Sequence, residues 1–71
     1  MAAKLTNKEA VNKRNWKVGQ VVECIHSASN AYTKGKKYKV VEDYLGRRCL
    51  IGDDGLEDLL SMLVSEFRMV E

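Results

Sequence analysis

The chain has 71 residues, 31% of them charged, a net charge of +2, two cysteines and no proline. A chain of this length makes one domain and buries only about 60% of its unfolded surface, so its core is small. No stretch approaches the ~20 apolar residues of a membrane-spanning helix, which excludes that class, and two thiols with no secretory leader ahead of them predict a reduced protein in the cytoplasm.

Residues 1–15 form a basic N-terminal segment, read as a short helix or as disordered chain. Thr6 and Glu9 have the spacing of a capping box, which predicts a short helix over about residues 7–14. The apolar face of that helix is only Ala10 and Val11, too little to hold it alone in water. Trp16 opens the packed domain, residues 16–71. A turn at Gly19 and Gln20 leads into Val21, Val22, Cys24 and Ile25, whose β-branched density predicts a strand. The small polar run SASNAYTKG reads as a loop closed by Gly35. In KKYKVVED, Tyr38 and Val40 share one face and Lys37, Lys39 and Val41 the other, the period of a half-buried strand. A turn around Gly46 and a third strand, RRCLI, follow. The GDDG run at residues 52–55 is a tight-turn signal, because Asp and Gly tolerate left-handed backbone.

Two readings are open for residues 56–66. Leu56, Leu59, Leu60, Leu63, Val64 and Phe67 fall at helical spacing, with Asp53 or Asp54 placed to cap and Glu57 and Asp58 in the first turn. The alternative is a strand near residues 57–60, a tight turn at 61–65 and a last strand, FRMV. The fold class is therefore mainly β, with about five short strands, a short N-terminal helix and a helical segment near 56–66 as the two optional elements. Short strands with tight turns, too few for two full sheets, fold by curling one sheet on itself. Inward positions are then Val22, Cys24, Tyr38, Val40, Cys49, Ile51, Phe67 and Met69.

The order of VGQVV, KGKKYKV, IGDDG and SEFRMV resembles a group of short phage and prophage proteins with SH3-like barrels. Their outline is V-G-x-x-V, K-G-K-x-Y-x-V, I-x-D-D-G and S-x-F-x-x-V, and the likeness covers roughly residues 17–71. EDLLSMLVSEF is more helical than the fourth strand of that outline. The resemblance implies a small SH3-like barrel and a compact accessory protein that occupies a host surface, including those of nucleic-acid or defence enzymes.

Catalytic and metal chemistry have little to stand on. Cys24, His26 and Cys49 lack the paired spacing of a zinc site. One histidine among scattered serines is no triad. The acids at 53, 54, 57 and 58 lack a calcium-loop pattern, and TKGKK lacks the second glycine and the Lys-Ser/Thr of a phosphate loop. The expectation is a non-enzymatic protein with no cofactor.

Charge is laid out unevenly. Residues 1–37 hold eight Lys/Arg against two acids, and residues 38–71 hold four against eight. This either polarises the surface or cancels as the halves interleave. Candidate binding residues are Lys13, Arg14, Trp16, Lys17, Tyr32, Lys34, Lys36, Lys37, Arg47 and Arg48. The cations suit an acidic protein surface or phosphates, and Trp16, Tyr32 and Tyr44 would offer stacking faces to single strands. Lysines beside a strand also serve simply to keep an exposed edge from pairing. The leading expectation is binding to and modulation of a host protein. The alternative is direct DNA or RNA binding through the basic half. A homodimer closed by Leu56, Leu63 and Phe67 is the third expectation, contingent on the helix.

Overall fold

Strands form where β-branched and alternating residues concentrate, as a computed structural model covering residues 11–70 records. Among the described residues there are six strand segments: β1 Val21–His26, β2 Lys37–Lys39, β3 Val41–Glu42, β4 Arg48–Ile51, β5 Glu57–Leu59 and β6 Glu66–Val70. They make two three-stranded antiparallel sheets, ordered β2-β1-β6 and β3-β4-β5. Only Val40 separates β2 from β3, so one bent run of chain serves both sheets. The bend leaves no orphaned backbone, because the Val40 amide donates to the Gln20 carbonyl and its carbonyl accepts from the Gly19 amide, both at 2.8 Å.

The register explains which side chains turn inward. Val22 faces Tyr38 on one side and Met69 on the other, and Cys24 faces Phe67. Alternation along β1 and β2 therefore sends Val22, Cys24 and Tyr38 into one core. Phe67 sits at its centre. Its ring meets Trp16, Tyr32 and Tyr38 edge-on, with centroids 6.0, 5.1 and 6.0 Å away and planes at 88–89°. Edge-to-face contact sets the positive rim of one ring against the negative face of the next. Val40, Leu50, Leu60 and Leu63 complete the cluster.

Between β5 and β6 the chain makes a 3-10 turn, Leu60–Met62, with Leu60 buried. This resolves the two readings of residues 56–66 in favour of strand, turn and strand. The helical segment is not formed, and Leu56 and Val64, two members of its supposed apolar face, stand 64% and 69% exposed. The proposed dimer contact falls with it, since Leu63 and Phe67 are core residues. One inward position is also corrected. Ile51 is exposed and Leu50 is fully buried, because Leu50 enters the core while Cys49 is covered on the opposite face of β4.

The helix expected over about residues 7–14, with Thr6 and Glu9, falls largely outside the described residues. Within them, Lys13–Asn15 form a 3-10 turn capped by Asn12, whose side chain accepts from the Arg14 amide. No helix among the described residues is long and apolar enough to cross a membrane.

Candidate binding site

A groove of about 440 Å³ lies between the β3–β4 turn and the Leu60–Met62 turn, lined by Gly46, Arg47, Arg48, Leu59, Leu60 and Ser61. The first wall is held by Asp43. Its carboxylate accepts from the amides of Leu45 (2.9 Å) and Arg47 (2.8 Å) and from Arg47 Nε (2.7 Å), the local pattern by which an aspartate organises a turn. Burial pushes this carboxyl up, but the Arg47 amide, the Arg47 guanidinium and the Leu45 amide outweigh it and hold the group below the ordinary range. The second wall is the 3-10 turn, anchored in the core by Leu60 and leaving Met62 72% exposed. Tyr44 and Leu45, in the β3–β4 turn, are 89% and 59% exposed.

Arg48 closes the groove on the side of the N-terminal segment. One terminal nitrogen donates to the carbonyls of Arg14 (3.2 Å), Lys13 (3.4 Å) and Trp16. Lys13 in turn donates its ammonium to the Leu63 carbonyl at 2.9 Å. The segment is thus pinned beside the groove, with Arg47 and Arg48 in the groove lining, Lys13 bonded to Leu63, and Arg14 contributing its carbonyl. Arg47 has Asp43 as its ion-pair partner. Arg48 bonds only carbonyls, and no carboxylate pairs with it among the described residues.

The other candidate cations occupy a different place. Lys36 pairs with Asp53 at 2.5 Å, and the same carboxylate accepts from Thr33 Oγ1 (2.7 Å) and the Tyr38 hydroxyl (3.1 Å). The Tyr38 oxygen also accepts from the Thr33 amide. The Lys36 bond, then Thr33, hold Asp53 below the ordinary carboxylate range, and the Asp53 bond raises Lys36. This clasp fastens the loop at residues 27–36 to the turn at 52–55, so Lys36 has a structural occupation. Lys34, Lys37 and Lys39 are exposed. Lys37 faces Glu23 across the strands, and Glu23 pairs with Arg68 at 3.6 Å.

The ten candidate residues therefore divide. Arg47 and Arg48 line the groove and the Lys13–Arg14 backbone is bonded to Arg48, while Lys34, Lys36 and Lys37 belong to the loop and β2. Lys17 is exposed near the first turn, its amide donating to the Gln20 side chain. Trp16 and Tyr32 are buried at 0% and 4% exposure. Tyr32 donates its hydroxyl to Asp58 at 2.7 Å, and burial followed by that bond raises its pKa. Neither ring presents a stacking face; Tyr44 does. The sequence reading did not single out Asp43, Leu45 or Met62. The signal for Met62 was available in its place off the apolar stripe of residues 56–67. Among the described residues no group of three His, Cys, Asp or Glu comes together as metal ligands would. Compared with models of protein families, with curated proteins and with solved structures, the chain matches none.

Proposed function

We propose that this chain is a small SH3-like module that acts without chemistry of its own, by binding another protein. The phage-type accessory role and a bacterial host protein as target, such as a nucleic-acid or defence enzyme, follow from the sequence resemblance. The bent strand shared by two small sheets and the 3-10 turn before the last strand support the SH3-like reading, though fold alone does not select a partner.

One observation carries the choice of protein over nucleic acid. Two of the three candidate stacking rings are spent in the core, while Tyr44, Leu45 and Met62 stand exposed on the two turns whose Gly46, Arg47, Leu60 and Ser61 line a groove. Exposed aromatic and Met side chains around a concavity are the composition of protein interfaces. The test is affinity capture from nuclease-treated bacterial lysate. A stoichiometric protein partner retained at moderate salt is the expected result, and recovery of no stoichiometric protein would overturn the reading.

A second reading has its own support. Lys34, Lys37 and Lys39 are exposed and enter no ion pair among the described residues. A phosphate-binding role for them requires affinity that falls steeply with salt. Titration of single- and double-stranded oligonucleotides at two salt concentrations decides it, and a triple alanine variant at these lysines would abolish the binding.

A further inference from the structure

We infer that the groove beside Arg48 receives an acidic side chain of the partner, flanked by apolar residues, an assignment that rests on the protein-binding reading above. Arg48 is half-buried and carries a full positive charge. All three of its hydrogen bonds leave from one terminal nitrogen and end on carbonyls. Its Nε and second terminal nitrogen bond nothing among the described residues. They are reached by solvent, since no buried side-chain nitrogen or oxygen lacks a partner. That free edge is the fork which accepts a carboxylate through two parallel N–H···O bonds. The three carbonyls also fix the guanidinium in place, so little side-chain freedom is lost on binding. Leu59 and Leu60 line the same groove, and Tyr44, Leu45 and Met62 are exposed on the turns that supply its other lining residues. The volume suits a few side chains of an extended segment.

The same geometry disfavours a run of phosphates. A Glu42 carboxylate oxygen lies 3.6 Å from where a side chain on Gly46, a residue of the groove lining, would begin. A polyanion would have to pass that carboxylate, whereas a single carboxylate flanked by apolar groups meets the fork alone.

The probe is a short synthetic peptide with glutamate between leucine and phenylalanine, titrated into the full-length 15N-labelled protein. Shifts are expected at the amides of Gly46, Arg47, Leu60 and Ser61 and at Arg48 Nε–H. Replacing the peptide's glutamates by glutamine should weaken binding at least about tenfold. The double variant Tyr44→Ser/Met62→Ser, whose side chains lie outside the core, should weaken it comparably while keeping a folded spectrum. Equal binding of the glutamine peptide, shifts confined to residues 34–39, stronger groove shifts with a single-stranded oligonucleotide, or no shifts would each overturn the assignment. Lysate capture by Arg48→Gln separates the two claims. A partner retained undiminished removes the groove assignment and leaves the protein-binding reading standing, whereas wild-type protein that captures nothing removes both.

Discussion

A methyl group added at Gly52 would begin 2.9 Å from an Asp54 carboxylate oxygen, 3.0 Å from the Ala31 carbonyl and 3.1 Å from the Ala31 methyl. None of these yields easily. The Ala31 carbonyl accepts from the Asp53 amide at 2.6 Å, and Asp54 accepts from the Leu56 amide. Gly52→Ala should therefore cost about 1–3 kcal/mol, the usual range for overpacking, read as a lower urea midpoint with Trp16 fluorescence as the probe. At this scale the sequence was readable wherever one face of a strand is wet. Tyr38 and Val40 follow from alternation alone, whereas in β1 both faces carry apolar residues and alternation leaves the choice of Val22 and Cys24 open. Ile51 does not follow, because β4 buries Cys49 and Leu50 in succession, and a strand covered on both faces carries no period-2 signal. Trp16 and Tyr32 failed as exposed rings for a related reason. Aromatic character marks a large apolar body equally well in a core and on a surface, and only packing tells which.

Elements are joined here by side chains as much as by ladders. The Asp53 clasp links the loop at 27–36 to the turn at 52–55, and its pH dependence has a definite sign. Lys36 chiefly, with Thr33 after it, lowers the native Asp53 value below that of the unfolded chain. Its contribution is thus complete above the ordinary aspartate value of about 4, and drains away as pH falls through the lower native value. Asp53→Asn should melt at a lower temperature than wild type at neutral pH, with the gap narrowing between roughly pH 5 and pH 1. Lys36 is raised in the folded protein, so its share is full below the ordinary lysine value and is lost as pH climbs through the native one. Residues 56–66 show the limit of local reading at this scale. Their apolar spacing fits a helix, but pairing of Cys49 with Leu59, Leu50 with Asp58 and Cys24 with Phe67 is nonlocal and wins. The groove depends on the outcome, since its second wall is the 3-10 turn that a helix would have erased.

For the whole molecule, one ring holds several parts together. Phe67 touches the ring of Trp16, which follows the N-terminal segment, and rings from the long loop and β2. Phe67→Ala should remove about 3–5 kcal/mol, against a total of roughly 4–11 kcal/mol for a domain of this length. Near-complete loss of cooperative thermal unfolding by circular dichroism is the expected outcome, with Phe67→Leu recovering a measurable transition. The uneven charge of the two halves is partly cancelled by folding. Lys36 with Asp53 joins a cation of the basic half to an acid of the acidic half. Among the described residues, Arg48 beside the groove and Lys34, Lys37 and Lys39 away from it have no ion-pair partner. Lys13, Arg14 and Arg48 were legible as basic residues, but the docking of residues 13–16 on Arg48 was not, because it depends on carbonyl bonds that join positions more than thirty residues apart.

Both cysteines are free, with 0% and 1% exposure, and burial raises each thiol. The thiolate is the species that alkylating reagents attack, so maleimide at neutral pH should leave the folded wild-type protein unmodified and react fully only in denaturant. Mass spectrometry before and after unfolding reads this directly. A Met62→Cys variant then takes a single dye at the groove rim with both native thiols in place, giving a fluorescent reporter of whatever settles there.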